Sequence, residues 1–166
     1  MTGVVFIAYP LTTTPDLAGV ERWVIQLRAR LVASGMDVVP KLGGRERALA
    51  AAGEPDGDLL ESNVAAVTRA DVVVVLLPTI VEPSSIWVEL GMALAARRPL
   101  VVAGPADAAL PFLARLALQG PGPGGDDGTA DARPSAVRIL VDVPPSDDAA
   151  AASLERVVAA VQSVAG

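Results

Sequence analysis

Ala70-Asp71-Val72-Val73-Val74-Val75-Leu76-Leu77-Pro78 is the stretch whose reading decides the fold. Four valines and two leucines, entered from Ala-Asp and left through proline, read as a strand over residues 72–77 that is buried on both faces. The chain then continues Pro83-Ser84-Ser85-Ile86-Trp87-Val88-Glu89-Leu90-Gly91-Met92-Ala93, which predicts a helix over 84–97 opened by the serine pair. Glu89 falls about one turn inside that helix. A carboxylate there sits over the C-terminal edge of a parallel sheet, where open α/β folds bind ligands.

The alternation of strand and helix extends in both directions. Upstream, residues 4–8 read as a short strand ending at Tyr9-Pro10, and a polar loop runs through Thr12, Thr13, Thr14, Pro15 and Asp16. Residues 17–34 follow with helical spacing, Val20, Trp23, Val24, Leu27 and Leu31 sharing one face, and Gly35 ends the helix. Residues 36–39 form a second strand, 41–57 a loop or weak helix, and 58–69 a helix. Downstream, a strand over 99–103 and a helix over 108–118 lead into a Gly-, Pro- and Asp-rich segment, 119–135, expected to be mobile. A fifth strand over 136–141 and a closing helix over 147–164, capped by Ser146 or Asp147, complete the pattern.

Five strands alternating with helices predict a three-layer α/β fold, flavodoxin-like (Rossmann-like), with a five-stranded parallel sheet in the order 2-1-3-4-5. The 166 residues suit a single domain. The strand order reverses between strands one and three, so residues 9–16 and 78–89 are expected to line one crevice. Tyr9, Pro10, Pro78, Ser84, Ser85 and Glu89 all fall within those two stretches.

Composition narrows the chemistry. The chain has no cysteine and no histidine, which excludes thiolate chemistry, Ser-His-Asp triads and the usual zinc ligand sets. Acid–base and nucleophilic work falls to carboxylates, with Tyr9, Lys41 and the hydroxyls as remaining options. No G-x-G-x-x-G follows the first strand and no P-loop lysine motif is present, and no cofactor is expected. A net charge of −6 without a basic cluster argues against nucleic acid as a partner. The hydrophobic fraction is 52% and the mean hydropathy +0.48, yet no apolar run nears the ~18 residues of a membrane span. With no signal-peptide pattern at the N-terminus, the expected location is the cytoplasm.

Ser84 and Ser85 most simply cap the helix, and helix N-terminal N–H groups with serine hydroxyls can also hold a sugar hydroxyl or a phosphate. Trp87 is either core or a pocket wall. Glu89 is a polar exception on a helix whose neighbours Val88, Leu90, Met92, Ala93 and Leu94 are apolar, and Gly91 permits close approach by another backbone.

Ala70-Asp71, the apolar run, the segment from Ser84 to Leu94, and Arg98-Pro99-Leu100-Val101-Val102 together resemble the nucleoside 2-deoxyribosyltransferase family and its nucleotide N-glycosidase relatives. In that family a strand is followed by D-x-G-T/S-x-x-E-x-G-x-A and then by a basic-Pro-Val-Val strand. Val5-Phe6-Ile7-Ala8-Tyr9-Pro10-Leu11 is similar to the family's first strand and loop, so the resemblance spans roughly residues 3–103. It implies that Glu89 is the nucleophile at the anomeric carbon of a ribosyl group, with Tyr9 beside it. It also implies a small-molecule nucleoside or nucleotide substrate, N-glycosidic cleavage by hydrolysis or deoxyribosyl transfer, and a homodimer.

Departures from the family pattern are specific. Glu82 or Pro83 stands near the position of the family's aspartate, and Ser85-Ile86 replaces its Gly-Thr or Gly-Ser pair. Asn63 stands where a second aspartate is found, which implies a role in binding base or sugar, with Glu61 or Glu82 as the candidate acid. These changes favour hydrolysis or plain binding over transfer to a second base. A weaker resemblance is to TIR domains, through Phe6-Ile7-Ala8-Tyr9, the long first helix and a Ser-x-Trp ahead of a glutamate. It implies either cleavage of NAD at the same type of bond or a non-catalytic nucleotide-binding or interaction module.

Overall fold

Strand β1 (Val4–Ala8) leads into helix α1 (Leu17–Ala33), strand β2 (Asp37–Val39) and helix α2 (Gly57–Arg69). Strand β3 (Val72–Leu76), helix α3 (Ile86–Ala95), strands β4 (Leu100–Gly104) and β5 (Ala136–Leu140), and helix α4 (Asp147–Ala165) follow. The computed structural model describes residues 3–10, 15–39, 57–78, 85–106, 110, 115, 118 and 136–165. The predicted helix over 108–118 lies mostly outside the described residues, although Arg115 and Leu118 are helical. Most of 41–57 and all of 119–135 lie outside them as well.

The strands form a five-stranded parallel sheet in the order β2-β1-β3-β4-β5, as the alternation predicts. In register, Ile7 lies beside Val74, and Val74 beside Val101, which stands beside Val137. Every residue of β3 and β4 is buried, as continuous apolar runs require when helices cover both faces. Side chains alternate between two cores. Val5, Ile7, Val72, Val74 and Leu76 pack beneath α1 and α4. Phe6, Ala8, Val73, Val75 and Leu77 pack with residues of α2 and α3 on the other face.

Local chemistry sets the ends of the helices. The Asp16 carboxylate accepts the Gly19 N–H at 2.8 Å and caps α1, a signal in the polar loop that sequence reading did not single out. A Cβ at Gly19 would collide with that carboxylate. At the other end Gly35 has φ +86°, with Met36 N–H donating to Leu31 and Gly35 N–H to Val32, a Schellman motif. Helix α3 stops at Ala95, two residues short of its predicted end, because Arg97 takes φ +53° and the Arg97 and Arg98 N–H groups fold back to Leu94 and Ala93. Asp16→Ala is expected to cost about 1 kcal/mol of stability. A urea titration read by circular dichroism checks this, and an unchanged midpoint would show the cap to be idle.

Arginine side chains tie neighbouring elements together at the surface. Arg30 of α1 pairs with Glu155 of α4, an exposed pair whose contribution is small. The Arg98 guanidinium donates to the Thr68 carbonyl near the end of α2. On edge strand β5, Arg138 donates to the carbonyls of Pro105 and Ala106, each at 3.1 Å.

Candidate active-site crevice

The chain leaves β1 toward β2 and returns past it to β3. Neighbouring strands β1 and β3 are thus followed by helices on opposite faces of the sheet, α1 on one and α3 on the other. In open α/β folds such a reversal opens a crevice at the C-terminal strand edge. Tyr9 and Pro10 follow β1 there and Pro78 follows β3, all three buried.

Glu89 lies in the first turn of α3, its N–H bonded to the Ser85 carbonyl at 3.0 Å. Ile86, Glu89, Leu90 and Ala93 form the buried stripe of this helix at the i, i+3, i+4, i+7 spacing. The carboxylate therefore sits on the face turned to the core, with the residue only 9% exposed. Burying a carboxylate is costly, and its place near a helix N-terminus offsets part of that cost.

The remaining candidates fall in several places. Asn63 is half-buried on α2, one turn before the buried Ala66 and Val67, in the same layer as Glu89. Helices α2 and α3 pack against each other. Glu61 is exposed, and two residues of separation put it about 200° round the helix from Asn63. Tyr9 packs in the opposite core, with Val20 and Trp23 beneath α1, while the neighbours of Glu89 on its stripe belong to the core under α2 and α3. Ser85 is exposed at the N-cap position and makes no side-chain capping bond. The expectation that the serine pair caps the helix through its hydroxyls thus fails at Ser85, which has helical backbone angles of −55° and −22°. Trp87 is half-buried against the α2–α3 core. Glu82 and Ser84 lie outside the described residues.

Gly91 also departs from expectation. It is exposed, and a Cβ there would meet nothing within 4 Å. The close backbone approach occurs at Gly104 instead, where a Cβ would lie 2.9 Å from the Leu77 carbonyl oxygen. Gly104 ends β4 next to the crevice strand, and Leu77 N–H donates to Ala103 at 2.8 Å. The signal for it was a glycine at the end of an apolar strand. Among the described residues no group of three or more acidic side chains could hold a metal ion, and no helix is long and apolar enough to cross a membrane.

No protein-family model matches the chain, and no curated protein sequence matches it. Solved structures do. The CMP N-glycosidase BcmB of Clostridium botulinum matches with a TM-score of 0.58 at 14% identity, over 85% of this chain and 90% of that one. BlsM matches at 0.66 with 20% identity, over 98% and 91% of the two chains. A chain of the RPS4 and RRS1 TIR domain heterodimer matches at 0.54 with 16% identity, over 99% and 98%. At these identities the likeness is one of fold.

Proposed function

We propose that the protein cleaves the N-glycosidic bond of a nucleoside or nucleotide, with Glu89 as the group at the anomeric carbon. What carries this reading is the placement of Glu89 on the core-facing stripe of α3, 9% exposed, in the first turn of the helix that follows β3. The fold likeness to a CMP N-glycosidase supports it.

The chemistry follows from the carboxylate. As the bond between anomeric carbon and base nitrogen lengthens, positive charge develops on the sugar. The Glu89 carboxylate stabilises that charge or closes on the carbon as a nucleophile. The base leaves with the bond's electron pair and takes a proton from an acid or from water. Water then adds at the anomeric carbon, loses a proton and yields the free sugar. Asn63, on the neighbouring helix of the same layer, would hydrogen-bond sugar or base. Glu61, exposed and on another face of its helix, is the weaker candidate acid, which leaves Glu82. Pro10, Pro78, Ser84, Ser85 and Trp87 would shape the pocket, and Tyr9, packed in the opposite core, would line the crevice from the β1 side rather than share the reaction with Glu89.

The test is incubation with CMP, a panel of other nucleotides and nucleosides, and NAD, with free base detected by chromatography. Base release from at least one panel member is expected. The TIR fold neighbour favours a second reading, in which NAD is the substrate and nicotinamide the product. Nicotinamide release from NAD with no base from CMP or the other panel members would select it.

A homodimer is part of the proposal. Val88 on α3 is 56% exposed and Leu60 on α2 is 58% exposed, with Val64 one turn further along α2. These side chains give the α2–α3 layer an apolar outer face suited to a second copy. Trp23, by contrast, is core. Sedimentation is expected to show a dimer for the wild type and a monomer for Leu60→Asp/Val88→Asp. A wild-type monomer at tens of micromolar would refute the assembly.

A further inference from the structure

The C-terminal ends of β3 and β4 converge. Neighbouring strands ordinarily run ~4.8 Å apart, yet a Cβ on Gly104 would lie 2.9 Å from the Leu77 Cβ and 2.9 Å from the Leu77 carbonyl oxygen. Both are atoms fixed to the backbone, so a side chain at position 104 has to displace one strand end. The φ of Gly104 is not positive, and room rather than an unusual backbone conformation is what this glycine supplies. Which end gives way follows from the ties on either side. The end of β4 is anchored to β5 at three successive carbonyls. Val141 N–H donates to Gly104 at 3.0 Å, and the Arg138 guanidinium donates to Pro105 and Ala106, each at 3.1 Å. Leu77 stands just past the end of β3, where the chain turns through Pro78 toward α3. Its buried side chain belongs to the core that holds Ile86, Leu90 and Ala93, the stripe that also carries Glu89.

We propose that Gly104 is a positioning residue for the Glu89 helix. By letting β4 close on Leu77 it fixes where the chain leaves β3, and through the shared core it sets how α3 seats on the sheet. A Cβ at 104 would meet an anchored β4, so the displacement passes to Leu77 and from there to the stripe of α3. Packed interiors transmit such shifts because they hold few voids to absorb them. The effect on turnover rests on the Glu89 reading, whereas the seating of α3 can be observed directly. Gly91 supplies the contrast. It lies on α3 itself, two residues after Glu89, and a Cβ there would meet nothing within 4 Å. The same glycine-to-alanine change, made nearer to the carboxylate, therefore displaces nothing.

The experiment compares Gly104→Ala, Gly91→Ala and Gly104→Ala/Arg138→Ala with the wild type, each as the full ¹⁵N-labelled chain. The chain has two tryptophans, Trp87 on α3 and Trp23 in the opposite core, and Trp87→Phe assigns their indole N–H signals. Gly104→Ala is expected to move the Trp87 signal and leave that of Trp23 in place. On the best substrate of the panel its kcat per folded molecule should fall about 100-fold with KM changed only a few-fold, as a misplaced reacting group requires. Gly91→Ala should change neither signal nor kcat. Removing Arg138 loosens the end of β4, so the double variant should return the Trp87 signal toward its wild-type position and recover part of kcat. A mere loss of stability would be deepened by the second substitution, not relieved. The proposal is overturned if Trp87 does not move in Gly104→Ala, if Trp23 moves as far, if the double variant is no nearer the wild type than the single one, or if circular dichroism shows that Gly104→Ala loses the fold. A wild type that releases no base would remove the Glu89 reading, while the two indole signals would still decide whether Gly104 seats α3.

Discussion

Glu89→Gln is expected to lower base release roughly a thousand-fold or more, about 4 kcal/mol of barrier, while ligand affinity changes only a few-fold. Glutamine keeps the size of glutamate and much of its hydrogen bonding. It lacks the negative charge that a cationic transition state needs, and it cannot attack carbon as an anion. The bound substrate has no developing charge at the sugar, so ground-state binding loses little. Turnover and calorimetric affinity, measured for both proteins on the best substrate of the panel, separate the two effects. Equal turnover would remove Glu89 from the chemistry. A wild type that releases no base from any panel member would leave the nucleotide-binding module as the reading of the crevice.

The sheet was legible because its signal is local and redundant. Val72 to Leu76 can bury both faces only in the middle of a covered sheet, and β3 occupies the central place. The helix of Val20, Trp23, Val24, Leu27 and Leu31 carries its core face in its spacing, and all five are buried. Strand order then followed from the rules of right-handed crossover. Ends were less legible, because they depend on single backbone angles. Nothing in Ala96-Arg97-Arg98 announces that an arginine will take a left-handed conformation and stop α3.

The crevice was legible in part. Glu89 was singled out as a polar residue among apolar neighbours, and its place on the Ile86, Leu90 and Ala93 stripe agrees with that reasoning. Tyr9 shows where sequence reading stops. Strand topology brings Tyr9 to the crevice edge, but the alternation of side chains along β1 determines which face it enters. Val5, Ile7 and Tyr9 share one face, and that face lies under α1 and α4. Ser85 and Gly91 teach the same lesson for helices. A residue type suited to capping or to close packing acts so only where tertiary structure supplies the partner.

The two cores make different demands on function, and truncating one residue in each distinguishes them. Phe6 and Leu27 are both fully buried. Phe6 belongs to the core that also holds Ile86, Leu90 and Ala93, the residues that seat the Glu89 helix on the sheet. Leu27 belongs to the other core. Phe6→Ala is expected to cost about 3–5 kcal/mol and Leu27→Ala about 2–5 kcal/mol, a large share of the roughly 5–15 kcal/mol that holds a domain folded. Denaturant titration should therefore place the two variants close together. Turnover per folded molecule should not. A cavity at Phe6 opens in the core that seats the helix carrying the carboxylate, and misplacement by about 1 Å suffices to cost ~100-fold in rate. A cavity at Leu27 leaves that helix seated. The expected result is two comparably destabilised proteins, of which only Phe6→Ala loses base release at a temperature where both remain folded. Equal turnover in the two would show that the α2–α3 core does not position the reacting group, and would move the search for that group to the α1 side of the crevice.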